Sequence, residues 1–595
     1  MRISRIQIEN FRTFHKLDVQ VGTNAVIVGE NKIGKSNLLH ALRLLLDPSL
    51  PDSARQLRDE DFWDGLPRPL TKEDAISISV EFSDFEEEER LLAVLGEHLV
   101  STKPMVSRLT YAFGPFRATG DEIKEADYDF LVYGGGRPDN KVGFELRRRM
   151  PLDLLRALRD AEGDLANWRQ SPLRPLLDET SSHIDPDALA KIADEISQVT
   201  DKVSKIKEIA TLAESITERL TQMVGTAHAL EMTLGFAPTS ADRLIRALRL
   251  FIDGGRRGIS EASLGSANLL YLTLMMLERE QLVESRSRDY TFLAIEEPEA
   301  HLHPHVQRLV YRDLLQPRAH QNVKQGEKKP VGSNSTVLMT THSPHIVSVS
   351  PLRSLILLRK AADEESTTGA SAASLELDEK ETEDLERYLD VTRGEMLFAK
   401  GVLLVEGDAE LFLVPALAKL NNYDLDQAGI TVCSVSGTNF EPYVKFLGPN
   451  GLDIPFAVVT DRDPLDGHKN LGEARVARLV HILDPKLKFK DTEIAEIGAK
   501  YGIFLNEFTL EVDLFKCGRN KSMSRTLLEL SQNEACHERA KKWAEDASAL
   551  DPVRLLKDIS EVGKGRFAQR LASNMKGTLC PPYIKQAIEY VINRC

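Results

Sequence analysis

The sequence predicts an α/β protein whose strands and helices build two separate sites. Three observations carry that reading. A short apolar strand, AVIV at 25–28, runs into the glycine-rich loop GENKIGKS at 29–36 and then into the helical stretch SNLLHALRLLL at 36–46. A second apolar strand at 291–295 ends in the adjacent acids Glu296 and Glu297. Far downstream, strand, acids, helix and strand recur over 401–463, and two of those strands close on carboxylates. Alternation of this kind favours parallel sheets with helical crossovers.

The chain has 595 residues, enough for roughly 3–4 domain-sized units. Hydrophobic residues make up 42% and charged residues 28%, a balance that suits several buried cores. A formal net charge of −15 excludes a broadly basic nucleic-acid surface but leaves room for a local basic groove. Cys433, Cys517, Cys536, Cys580 and Cys595 form no C-x-x-C pair and are odd in number. They are neither a disulfide framework nor a zinc site, and a reducing cytosol is expected. No apolar run approaches the roughly 18 residues of a membrane span. The N-terminus, MRISRIQIENF, alternates like a strand and has no signal-peptide core. A soluble cytoplasmic protein without a membrane partner is expected.

In chain order, residues 2–9 alternate apolar and polar as a half-buried strand, and ISISVEF at 76–82 does the same. From about 150 to 230 the pattern turns helical, in LDLLRALRDAEGDL and IKEIATLAESITERLTQMV. Strand character returns at 291–295 and 336–340. Two polar stretches, 316–335 and 361–380, read as flexible loops.

GENKIGKS fits G-x-x-x-x-G-K-[ST]. Gly29 and Gly34 let backbone N–H groups turn onto phosphate oxygens, Lys35 reaches the β- and γ-phosphates, and Ser36 offers its hydroxyl to Mg²⁺. Asn31 and Asn37 complete the expected ATP contacts. The helix that begins near Lys35 adds its positive end. In TFLAIEEPEAHLHP (291–304), Glu296 is placed to hold Mg²⁺ and Glu297 to polarise the attacking water. In MTTHSPHIV (339–347), His342 closes a strand where it can sense the γ-phosphate. SLGSANLLYLTLMMLE (263–278) opens a helix on Ser263, Gly265 and Ser266.

In this order the four motifs resemble the ABC-type ATPase head of the SMC and recombination-repair ATPases. IENFRTF resembles their opening and puts Arg12 in the position of their N-terminal arginine. The resemblance implies that Ser263, Gly265 and Ser266 act across a homodimer, completing the nucleotide site of a second head. SLGSAN departs from the usual L-S-G-G-Q-like signature.

GVLLVEGDAELFL (401–413) ends a strand on Glu406 and Gly407, with Asp408 and Glu410 following; IPFAVVTDRDP (454–464) ends another on Asp461 and Asp463. In a parallel sheet, strand C-termini share one edge, so these acids are expected to converge without Lys or Arg partners. Such a cluster is tolerable when divalent cations neutralise it, and oxygen-only donors favour Mg²⁺, Mn²⁺ or Ca²⁺. E-G followed by D-x-D resembles the Toprim domain. An ABC-type head followed by a Toprim domain resembles the OLD (overcoming lysogenization defect) family of ATP-dependent nucleases. That resemblance implies an ATPase over 1–149 and 231–395, a helical dimerisation insert at 150–230 and a Toprim nuclease at 396–595. It also implies Glu406, Glu410, Asp461, Asp463 and Glu511 (in LEVDLF) as metal ligands, and Lys564 (in KGRFAQRLA) as a phosphate-steadying cation. The alternative for Glu511 is a solvated strand residue, and for Lys564 a helix end. Ser434, Ser436 and Gly437 are expected to shape the loop beside the metals.

The function so implied is an ATP-regulated, metal-dependent DNA endonuclease or nickase working by two-metal hydrolysis, in anti-phage defence or DNA maintenance. DNA, a homodimer or homotetramer, and a partner protein or regulatory nucleic acid are the expected partners. The runner-up is a repair-type DNA-binding ATPase clamp with a non-cleaving Toprim site. A topoisomerase would need a tyrosine nucleophile in a partner domain, and a primase a zinc module; neither is apparent. Arg147–Arg149 and Arg256–Arg257 are candidate phosphate contacts.

Overall fold

The computed structural model describes residues 1–117, 123–156, 161–167, 171–224, 230, 232–234, 236, 240–300, 302–315, 334–361, 365–462 and 471–595. The chain forms two compact units, Met1–Ala157 with Asp289–Cys595, and Leu158–Arg288.

The larger unit starts with an antiparallel sheet ordered Phe14–Gln20, Arg2–Phe11, Ile76–Ser83, Met105–Gly114, Asp129–Gly134, Arg137–Lys141. Its period-2 sequences place Ile3, Ile6 and Ile8, and Ile78, Val80 and Phe82, in one core. A second sheet is ordered Thr367–Ser371, Leu355–Lys360, Ala25–Gly29, Ser335–Thr341, Thr291–Glu296, Leu152–Leu155. All its pairings are parallel except that of Thr367–Ser371. The helix Lys35–Leu46 buries Leu38, Leu39, Leu42 and Leu45 in the same core as the antiparallel sheet.

A third sheet, ordered Ile430–Ser434, Gly401–Val405, Phe456–Thr460, Ile503–Leu505, is parallel throughout. The 401–405 and 456–460 strands are buried along their whole length. They therefore read as unbroken apolar runs rather than alternating ones. Their core continues into C-terminal helices through Leu527, Trp543, Ile559, Phe567 and Ile588.

Two expectations change here. LDLL at 152–155 is a strand and not the start of a helix, in parallel register with Phe292–Ile295. A short Leu run fits either period, and pairing with a buried neighbour decides it. The polar stretch 361–380 is not one flexible loop: Thr367–Ser371 pairs antiparallel with Leu355–Lys360. A helix then starts at Glu379, where Asp378 and Glu381 form a reciprocal cap. Most of the other expected loop, 316–333, lies outside the described residues.

The smaller unit holds the helices Leu173–Ser182, Pro186–Ser204, Lys207–Val224, Ala241–Ala247 and Leu264–Glu284. Leu165, Ile259, Ala267 and Leu274 make its small core. Ile192, Ile196, Val199, Leu212 and Ile216 remain exposed on its long helices. Among the described residues no helix is long and apolar enough to cross a membrane.

Candidate functional sites

The parallel register of the second sheet gathers the ATPase motifs at one edge. Val28 is level with Thr341, and Glu296 with Thr340. Gly34, at φ 104°, caps the 35–46 helix, and a Cβ there would collide with the Thr13 hydroxyl. Only glycine fits that turn. Lys35 is buried, and its Nζ donates to Gly29 O (3.0 Å) and Glu30 O (2.9 Å). Burial brings its pKa down to about 8, against the pull of Glu297 and Glu299. Asn31 is exposed on the loop and Ser36 in the first turn of the helix.

Burial pushes the Glu296 carboxyl above its usual range, and a hydrogen bond from Ser36 opposes the shift. Glu297 sits at φ 42°, 3.3 Å from His342 Nε2. Burial and the Lys35 charge lower the His342 pKa, and Glu297 opposes them. A neutral imidazole beside a carboxylate can accept or pass a proton. Glu299, not singled out from the sequence, accepts from His342 N (2.6 Å) and from the Thr341 hydroxyl (3.0 Å), which fixes the end of the 335–341 strand. Arg12 donates to Asp61 (2.9 Å) and to Asn37 (3.1 Å), so both sequence candidates are tied to the start of the helix. Ser263 caps the 264–284 helix by accepting from Ser266 N (3.2 Å), with Gly265 in the first turn; these three lie in the smaller unit.

The third sheet gathers the downstream acids. Leu404 is level with Val458, so Glu406 and Thr460 lie side by side, one residue before Asp461. Glu406 Oε1 accepts from the Thr460 hydroxyl (2.5 Å), Asp461 N (2.8 Å) and Arg475 (2.9 Å). Arg475 is buried, and also donates to Asp461 O (3.1 Å). Asn506, buried, donates to Asp461 Oδ1 and accepts from Arg462 N (2.7 Å). Glu410 and Glu511 are both buried. Burial, with Glu511 and Glu406 adding to it, pushes the Glu410 carboxyl up to about 7, while Lys564 opposes the shift. Lys564 Nζ stands 3.6 Å from Glu511 Oε1. Asp408 opens the 408–420 helix, where a Cβ on Gly565 would lie 3.9 Å from its Cβ.

A family model described as an AAA ATPase domain matches residues 1–130 and 153–347. Another, described as an overcoming lysogenization defect protein-like TOPRIM domain, matches 397–463. The chain belongs to the OLD family. As an OLD-family member it joins an ATPase to a nuclease, with an α/β ATPase head followed by a Toprim domain. It is 27% identical over 503 residues to the OLD nuclease of Thermus scotoductus, covering 78% of this chain and 83% of that protein. It is 22% identical over 482 residues to the endonuclease GajA of Bacillus cereus, covering 78% and 75%. The solved C-terminal region of the Burkholderia pseudomallei OLD protein is 42% identical, spanning 33% of this chain and 98% of that one, with a TM-score of 0.32.

Several expectations about this OLD-family site are revised. The carboxylates do not converge without cations: Arg475 pairs with Glu406, and Lys564 faces Glu511. Glu511 is on the helix Leu510–Leu514, buried, and not on a solvated strand. Lys564 begins the helix Lys564–Asn574 and does not end one. Asp463 lies outside the described residues. Among the described residues no three His, Cys, Asp or Glu side chains already stand as a metal-holding group. Arg147 is buried and Arg149 pairs with the buried Asp289, so these two serve the fold, while Arg148 pairs with Glu145 at the surface. Arg257 stands 3.5 Å from Asp253.

Proposed function

We propose that this OLD-family chain is an ATP-controlled, divalent-metal-dependent DNA endonuclease that nicks duplex DNA, in anti-phage defence or DNA maintenance. One observation carries the reading: Glu406 and Asp461 close adjacent parallel strands, with the buried carboxylates Glu410 and Glu511 within electrostatic reach. The donor set fits a hard divalent cation. It is all oxygen, and burial and repulsion keep the Glu410 charge costly, a cost that a bound cation offsets. Glu406, Glu410, Asp461 and Glu511 would hold the metal, with Asp463 as a further ligand. Bound there, divalent cations supply an activated water and neutralise charge on the scissile phosphate.

The chain's own residues set up the rest. Arg475 and Thr460 fix the Glu406 carboxylate at the sheet edge, and Asn506 orients Asp461. Lys564, exposed at a helix start, is free to swing from Glu511 onto a phosphate oxygen. In the ATPase, Gly29, Gly34 and Lys35 would receive the phosphates, and Ser36 and Glu296 would hold Mg²⁺. Glu297 takes the proton of the attacking water, and His342 reports the γ-phosphate. The names of the relatives, OLD nuclease and endonuclease GajA, support the nuclease reading. Asp461→Ala tests it: nicking of plasmid DNA should disappear while ATP turnover stays at the wild-type rate. A variant that still nicks at the wild-type rate overturns the Toprim assignment.

A further inference from the structure

The segment between the ATPase head and the Toprim sheet is built as a strut. Its helix Glu379–Tyr388 accepts the backbone N–H of Leu352, at the base of the head, on Glu386 (2.8 Å). On the other side, its Glu381 pairs with Lys445 of the Toprim helix Glu441–Leu447 at 2.5 Å. The short helix Val391–Gly394 follows. Gly394 packs on the turn Pro344–Val347, which Ser343 joins to His342; a Cβ there would lie 3.4 Å from Pro344 O and 3.6 Å from Val347.

One residue earlier, Arg393 reaches into the Toprim domain. Its Nε donates to Ser434 O (2.8 Å), and another guanidinium nitrogen donates to the Ser436 hydroxyl (2.6 Å). Asp390 (3.2 Å) and the Tyr388 ring hold the guanidinium in place. The loop it grips is the one bonded to Glu406: Gly437 N donates to Glu406 O at 2.8 Å, and the Ser434 hydroxyl lies 3.5 Å from the same oxygen. Ser436 has φ 54°, a conformation that a serine holds only when its surroundings fix it. A continuous chain of contacts thus runs from His342 through Gly394 and Arg393 to the backbone of Glu406.

We infer that Arg393 is a positioning residue through which the nucleotide state of the ATPase sets the loop 434–437 and, with it, Glu406. This rests on the reading that ATP controls cleavage. The contacts of Arg393 are with Ser434, Ser436, Asp390 and Tyr388, and with none of the candidate ATP or metal ligands. This residue acts only through the loop, so its loss uncouples the two sites and stops neither chemistry.

The test uses the full-length protein with a non-hydrolysable ATP analogue and Mg²⁺, comparing wild type, Arg393→Ala and Arg393→Lys. Hydrogen–deuterium exchange is followed in peptides covering 29–36 and 434–440. In wild type both peptides respond to the analogue. In Arg393→Ala the 29–36 response persists and the 434–440 response is lost; Arg393→Lys, which keeps a donor, restores part of it. In parallel, the ratio of plasmid cleavage with and without ATP, set by a coupling of ordinary size at about 5- to 150-fold in either direction, collapses toward unity in Arg393→Ala. Ser436→Gly, which removes the acceptor and relaxes the left-handed residue, gives the same uncoupling should Arg393→Ala fold poorly. A wild-type protein that responds to ATP alongside an Arg393→Ala protein with the same response overturns the strut alone. A wild-type protein whose 434–440 peptide and cleavage both ignore ATP overturns ATP control itself, and the strut with it.

Discussion

Lowering the pH from 8 to 6 probes the burial of Glu410. Its carboxyl is buried, with Glu511 and Glu406 nearby, and titrates at about 7 instead of its usual 4.5. A carboxylate binds a cation only when ionised. About nine-tenths of the group is ionised at pH 8 and about one-tenth at pH 6, so metal affinity should fall about tenfold across that range. A surface glutamate would be ionised throughout and give no change. The metal-free fold responds in the opposite sense. The folded pKa is raised, so this group's stabilising contribution is complete below 4.5 and is lost as pH rises through 7. Glu410→Gln should remove both effects: weaker metal binding without the pH dependence, and a metal-free protein that no longer softens between pH 5 and 8. Calorimetric titration with Mn²⁺ at pH 6, 7 and 8, and thermal unfolding after chelation, read the two. Equal wild-type affinity at pH 6 and 8 would refute the placement of Glu410 as a buried ligand.

Two further substitutions test single contacts. Lys35→Ala removes a side chain whose Nζ donates, among the described residues, to Gly29 O and Glu30 O. It should abolish nucleotide binding and hydrolysis with an unchanged circular dichroism spectrum, and an unaltered ATPase rate would contradict the P-loop assignment. Arg475→Met leaves Glu406 without its buried partner. A cost of about 3 kcal/mol is expected, seen as a lower unfolding temperature that Mn²⁺ restores more than it does in wild type; an unchanged unfolding temperature would show that the pair contributes nothing.

The strands that carry function were legible because each couples an unbroken apolar run to an abrupt polar end. AVIV before Gly29, FLAI before Glu296 and VLLV before Glu406 are buried strands in the structure, and their register brings the acids to shared edges. The residues that hold those acids in place were not legible. Arg475, on the helix Leu471–Leu483, lies 69 positions after Glu406, and Asn506, just past the strand Ile503–Leu505, lies 45 after Asp461; the local pattern at each records only burial. Folding alone places them. Pairing also decides Leu152–Leu155 and Thr367–Ser371: one has a Leu run that suits a helix and is made a strand by Phe292–Ile295 far downstream, the other a Ser/Thr-rich stretch that suits a loop and is made a strand by Leu355–Lys360 just before it. Glu511 was legible as an acid in a motif but not as a helical, buried one.

Cleavage of supercoiled plasmid is the most direct test of the central claim, with wild type and Glu406→Ala each assayed with Mg²⁺ or Mn²⁺, with chelator, and with and without ATP. The account predicts nicking by wild type that needs the divalent cation, changes with ATP and vanishes in Glu406→Ala. Nicking that survives in Glu406→Ala, or that proceeds in chelator, would contradict it.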